Sequence, residues 1–255
     1  MKAGDDMHFW LVELYLVVAG VIGGLLSTIA GMASLVSYPV LLSVGLPPVT
    51  ANVTNTTAQI FTGIGSTLSS AKELKSAQHA TAMNAVFSLF GSLCGCILLL
   101  VAPAATFAKA VPFLIAFAGC LMFYTLLRQT PPTGGQAHPI LKSVALFLVG
   151  IYIGYFGASA GVITLAILTV TEQLPFTTIN AIKNFISFTG NGLAMIIFAF
   201  TADVRWTVAL TMGIGFLVGG WLGPRIVRHL PIRKLRFAIA FAALGLAAYL
   251  FVTTY

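Results

Sequence analysis

Charge is the scarcest property of this chain. Only 7% of its 255 residues are Asp, Glu, Lys or Arg, and six of these are acidic, whereas a soluble domain carries about 25% charged residues. That scarcity excludes a water-soluble globular domain. The few carboxylates, Asp5, Asp6, Glu13, Glu73, Glu172 and Asp203, all fall near expected helix ends or loops, as do His8, His79, His138 and His229. The buried Asp, Glu or His relay that proton-coupled carriers commonly use is therefore not expected. Cysteine is also sparse. Cys94 and Cys96 point to opposite sides of a helix and Cys120 stands alone, which argues for packing residues and against a disulfide framework or a metal site. No metal or other cofactor is expected. The first ten residues, with Asp5, Asp6 and a single lysine, lack a basic n-region and a small-residue cleavage site, so no removable signal peptide is expected.

Apolar sequence is what the chain has in excess, at 58%. Runs at 82–102, 110–127, 144–153 and 208–222 approach or exceed the ~20 residues that cross a hydrocarbon core, so the lipid bilayer is the expected surrounding. The periodicity gives an all-α membrane protein with five helical elements in each half. They are expected at 8–30, 33–45, 49–70, 79–102 and 109–127, then at 139–157, 160–173, 176–200, 206–229 and 234–254. The second element of each half has about a dozen residues, ~20 Å at 1.5 Å per residue, too short to cross ~30 Å unaided, and reads as re-entrant or half-crossing. A Pro/Gly-rich stretch at 129–138, with Pro131-Pro132 and Gly134-Gly135, is the linker between a first repeat at 8–128 and a second at 139–255.

The two halves carry one pattern twice. Gly20, Gly24 and Gly31 recur as Gly150, Gly154 and Gly161, and Pro47, Asn52, Gly91, Gly95 and Pro103 recur as Pro175, Asn180, Gly219, Gly223 and Pro231. Duplicated halves with glycine-interrupted apolar segments at matching places mark a secondary transporter whose site lies at the repeat interface. The net charge of +7 sits in short loops, so it reports orientation and not nucleic-acid binding. Arg225, Arg228, Arg233, Lys234 and Arg236 mark the cytoplasmic side, while the matching turn of the first half has only Lys109. An odd element count and this asymmetry predict inverted topology. Lys72, Lys75, Arg128 and Lys142 then also fall inside, Lys109, Asp203 and Arg205 outside, and both termini outside a cytoplasmic (inner) membrane.

These paired breaks, each followed by a short apolar helix, a Gly-Leu-Pro or Leu-Pro turn and an Asn-containing helix start, resemble the sulfite exporter TauE/SafE family from Gly20 to Phe251. The resemblance implies movement of small sulfur oxyanions or organosulfonates, such as sulfoacetate, usually outward. The family usually has a richer glycine run at each break than Ala30-Gly31-Met32-Ala33-Ser34 or Gly157-Ala158-Ser159-Ala160-Gly161.

Read from the residues alone, the breaks also suit a small anionic substrate. An interrupted helix exposes N–H groups and partial positive charge at the start of the next segment, near Ser34 and Ser159, with Gly31 and Gly161 allowing close approach. Packing alone is the competing reading of single glycines, as in Gly91-x-x-x-Gly95. The third elements add polar stripes: Asn52, Asn55, Gln59, Thr62 and Ser66 in the first half, and Asn180, Asn184, Ser187 and Asn191 in the second, with Lys183 beside them. Both stripes should face inward. Lys183 lies about 12 Å past Pro175 along its helix, where a lysine costs roughly 2.5–3.5 kcal/mol on insertion scales. Its expected partner is an anionic substrate or helix C-terminal carbonyls, with snorkelling to the cytoplasmic surface as the alternative. The candidate site is thus Gly31, Ser34, Asn52, Asn55, Gln59, Ser159, Gly161, Asn180, Lys183 and Asn184.

The expected function is export of a small sulfur-containing anion by alternating access, because an inside-negative potential favours exit of each negative charge by ~2.3 kcal/mol per 100 mV. An importer of a similar anion would need a coupling ion. A non-transporting membrane binding subunit is the reading from another class. An intramembrane hydrolase at Ser159, which meets the G-x-S-x-G pattern, lacks both the preceding strand and a facing histidine. No enzyme activity is expected, and the oligomeric state is left open.

Overall fold

The computed structural model describes residues 2–127 and 139–227 and parts of 241–252. Among the described residues every regular element is a helix: α1 (Lys2–Ala30), α2 (Ser34–Ser43), α3 (Pro48–Ser69), α4 (Ala71–Ser76), α5 (Gln78–Val101), α6 (Ala104–Leu127), α7 (Pro139–Tyr155), α8 (Ala160–Thr171), α9 (Phe176–Thr201) and α10 (Trp206–Val227). Four apolar stretches are long enough to span a bilayer, at Trp10–Ala30, Gln78–Val101, Phe176–Thr201 and Trp206–Ile226. Phe90, Ile97, Leu98 and Leu210, Ile214, Val218 lie exposed along α5 and α10, as lipid-facing side chains do. The chain is a multi-pass membrane protein.

Expected and observed boundaries agree within a few residues for most elements. Two differ. A one-and-a-half-turn helix, α4, fills the loop expected at 71–78, where Lys72, Glu73 and Lys75 gave no apolar period to read. The fifth element begins at Ala104, directly after Pro103, because proline favours a helix start. The linker at 129–138 and most of the element expected at 234–254 lie outside the described residues.

Prolines set the other helix starts. Pro47 and Pro175 precede α3 and α9 with extended backbone (ψ 151° and 145°), and both helices run inward from there. The strongest packing is reciprocal: α1 lies on α10 and α5 on α7, α3 crosses α9, and α3 also lies on α10 as α9 lies on α5. The first helix of each half therefore packs across the repeat boundary, α1 on α10 and α7 on α5. The repeated glycines are the contact surface. A Cβ at Gly20, Gly215 or Gly219 would collide with a carbonyl oxygen of the facing α10 or α1, and one at Gly91, Gly95, Gly150 or Gly154 with a carbonyl oxygen across the α5–α7 seam. Without a hydrophobic driving force between helices in lipid, small residues that let backbones approach are what joins them. The seams differ in chemistry. Between α5 and α7 the buried positions include Asn84, Ser88 and Ser92, whereas α10 offers Ala209, Met212 and Phe216.

Candidate functional site

The two breaks meet. α1 ends at Ala30, Gly31 takes a left-handed conformation (φ 78°), and α2 restarts at Ser34; α7 ends at Tyr155, Gly157 and Ser159 are left-handed (φ 70° and 61°), and α8 restarts at Ala160. Gly31 and Gly161 pack backbone on backbone, so closely that a Cβ on either would lie 2.5 Å from the other's main chain. Residues 130 apart in sequence thus form one contact at the centre of the bundle.

Neither restarted helix has a side-chain N-cap. The expectation that its first N–H groups all stay open needs correction. Leu35 N bonds to Met32 O at 3.4 Å, Val36 N to Ala33 O at 3.1 Å, Ala160 N to Gly157 O at 3.2 Å, and Val162 N to Ser159 O at 2.9 Å. Tight turns at the breaks use part of the N–H set that the sequence suggested for a ligand.

The polar stripes are buried inward as expected, and their side chains tie the breaks down. Ser34 Oγ accepts from Asn55 Nδ2 at 3.1 Å and from Gln59 Nε2 at 3.2 Å. Asn52 Nδ2 donates to Tyr155 O at 3.0 Å, at the carbonyl end of α7. Lys183 is 1% exposed, and its Nζ donates to Ser27 O at 3.0 Å and Thr28 O at 3.1 Å, carbonyls of the last turn of α1. A cation at a helix C-terminus meets both the unpaired carbonyls and the negative end of the dipole. Lys183 does not snorkel; it takes the carbonyl partner that the sequence left as one of its options. Each broken helix is therefore held at its C-terminal end by a side chain from the third element of the other half.

A small polar cleft lies beside the meeting breaks. Its centre, about 20 Å³, is lined by Gly31, Gly161, Gly157, Gln59, Thr56 and Asn191 among others, and it continues into a space of about 10 Å³ between α3 and α9, past Asn184, Ser187, Thr62 and Ser66. Such a volume holds roughly one water, so a sulfur oxyanion enters only if helices part. Of the ten candidate residues, Gly31, Gln59, Gly161 and Asn184 line the cleft; Ser34, Asn52, Asn55, Ser159, Asn180 and Lys183 are not among its lining residues, and all six are buried. Asn52 Oδ1, Asn55 Oδ1, Asn180 Oδ1, Asn184 Nδ2 and Ser159 Oγ are buried without a hydrogen-bond partner among the described residues. Ser27, Thr56 and Phe188 were not read from sequence. Thr56 could have been, as it continues the i, i+4 spacing from Asn52. Phe188, whose ring stands against Gly63 and narrows the second space, gives no such signal.

Discontinuous helices that meet inside a multi-pass helical bundle are an arrangement that membrane transporters use. The comparisons agree and go further. The family model for "Sulfite exporter TauE/SafE" matches residues 16–250, and the chain belongs to that family. It is similar to a "Probable membrane transporter protein ORF9" of Sinorhizobium sp., 26% identical over 247 residues, covering 95% of this chain and 93% of the relative. It is also similar to a "Probable membrane transporter protein" of Haemophilus influenzae (26% over 216 residues, 82% of each chain) and to "Probable membrane transporter protein YfcA" of Escherichia coli K12 (25% over 211 residues, 81% of this chain and 77% of the relative). No solved structure matches the chain.

Proposed function

We propose that this protein moves a small sulfur-containing anion, of the sulfite or organosulfonate class, outward across the cytoplasmic membrane by alternating access between two inverted repeats. The observation that carries the reading is the meeting of the two breaks: two helix starts without side-chain caps converge beside a polar cleft, with the Lys183 ammonium bound in the adjacent turn of α1. Helix starts and a buried ammonium both favour negative charge. Among the described residues the cleft lining includes no Asp, Glu or His that could act as a proton relay. The cleft's size fits an occluded state, and the packing between halves supplies two seams, α1–α10 and α5–α7, along which it can open. Export then follows from the membrane potential acting on the anion.

A thermal-shift screen of the purified protein tests the reading. Sulfite and sulfoacetate should raise the melting temperature with saturation, following RT ln(1 + [L]/Kd), and choline or sodium chloride at equal ionic strength should not. No shift with any sulfur anion would remove the substrate assignment.

A further inference from the structure

The cleft beside the breaks runs toward one end of the bundle. Its two spaces share Ser27, Gln59, Ser187 and Asn191, so they are continuous, and the second reaches Ser66 on α3 and Asn184 on α9. α3 and α9 are antiparallel here, since Gly63 lies against Phe188 and Ile60 against Gly192. Moving from Thr56 to Ser66 therefore leads toward the C-terminal end of α3 and the N-terminal end of α9. Lys72 and Lys75 follow α3 directly in α4, and Lys142 is paired with Glu172, just before α9 starts. Arg225 joins them because α10 runs parallel to α3: Gly213 meets the Phe61 ring, and Gly65 meets Leu217 O and Trp221 N. Cations thus mark this end, which the positive-inside rule assigns to the cytoplasm.

The walls of this path are polar but incompletely bonded. Thr62 Oγ1 and Asn184 Nδ2, on residues 4% and 6% exposed, have no hydrogen-bond partner among the described residues. Such atoms are costly in an apolar interior, and a path that fills with water or anion when it opens supplies the missing partner. One large apolar side chain stands among them. The Phe188 ring is seated on Gly63, where a Cβ would overlap it, and it lines the second space but not the centre. On the opposite side of the breaks the closure is thicker. Phe156, which lines the centre, packs edge-on against Tyr38 at 5.4 Å and Phe107 at 5.7 Å, and Phe107 packs against Tyr155 at 5.6 Å.

We propose that the anion reaches the breaks from the cytoplasmic end, between α3 and α9, and that Phe188 on Gly63 is the gate of that approach. α3 lies on α10 and α9 on α5, so a shift along either seam moves one wall of the gap and with it the ring or its seat. A single ring closes the inner approach and an aromatic cluster the outer one, so the closed protein yields first on the side from which an exporter loads. This gate rests on the anion-transport reading.

The test uses the full chain in membrane vesicles of either sidedness, with Cys94, Cys96 and Cys120 replaced by alanine and Thr56→Cys placed in the centre of the cleft, behind the ring. Labelling is with sulfonatoethyl methanethiosulfonate, an anion that does not cross membranes. With Phe188 in place, labelling should be slow from both faces. Phe188→Ala should speed it roughly tenfold or more, from the face bearing Lys72 and Arg225 alone, and Phe188→Leu, which keeps a smaller apolar side chain in α9, should speed it less. Unchanged rates in both variants would overturn the proposal, as would acceleration from the outer face or from both faces alike, which marks a loosened bundle and not a gate. Gated labelling without a thermal shift by any sulfur anion would keep the gate and reject the substrate assignment; a shift with unchanged labelling would do the reverse.

Discussion

Replacing Gly31 by alanine puts two separable costs on one atom. The first is conformational: Gly31 has φ 78°, and an L-residue in the left-handed region pays roughly 1–2 kcal/mol. The second is steric, since the new Cβ would stand 2.5 to 2.7 Å from the Gly161 and Val162 backbone. No rotamer change can relieve a backbone contact, and overpacking of this kind costs about 1–3 kcal/mol, for a total of about 2–5 kcal/mol. Gly45 isolates the first cost, because it has φ 88° with nothing within 4 Å of the added carbon; Gly45→Ala should lose only about 1–2 kcal/mol. Gly161→Ala isolates the second, since its Cβ meets Gly31 Cα at 2.5 Å from within α8. There alanine's helix preference returns roughly 1 kcal/mol, leaving a loss of about 0–2 kcal/mol. Thermal unfolding in detergent reads the series at about 2–4 °C per kcal/mol for a chain of this size. Equal losses in Gly31→Ala and Gly45→Ala would refute the claim that the two breaks press on each other.

Lys183→Gln keeps a donor for the α1 carbonyls but removes the charge, so anion affinity should fall more than stability, with Lys183→Arg intermediate and Lys183→Glu worst. Unchanged sulfite affinity in Lys183→Gln, measured by thermal shift, would assign the charge of the site to helix termini alone. Glu172→Ala should cost about 1–3 kcal/mol, because Glu172 Oε1 accepts from Lys142 at 2.7 Å and Asn84 at 2.9 Å in a pair only 11% and 14% exposed; Glu172→Gln, which can still accept from Asn84, should lose less. For topology, cysteine at Lys109 or Asp203 should label from outside the cell and cysteine at Arg233 should not; labelling of Lys109 and Arg233 from one side would sink the inverted arrangement.

Much of this was legible because glycine and proline mark backbone events directly. Gly31 and Gly161 were found by their spacing, and Pro47 and Pro175 located the starts of α3 and α9. The pairing of helices was not legible. In lipid nearly every helix is apolar on all sides, so apolar periodicity does not say which face meets which neighbour. The glycine stripes on α1, α5, α7 and α10 showed that close contacts exist, but equal stripes admit either partner. Lys183 shows the same limit at the site. Its depth could be counted from Pro175, yet its partner is a carbonyl pair 155 and 156 residues away, and carbonyls leave no trace in side-chain sequence. The turns that use the first N–H groups of α2 and α8 are hidden for the same reason.

Efflux of sulfite from proteoliposomes tests the central claim most directly, with the purified chain as the sole protein and an inside-negative potassium diffusion potential imposed. The account predicts saturable efflux that accelerates with the potential, competes with sulfoacetate, and is lost in Gly161→Leu while the variant still inserts in the membrane. Efflux no faster than from protein-free liposomes, or full efflux in Gly161→Leu, would contradict it.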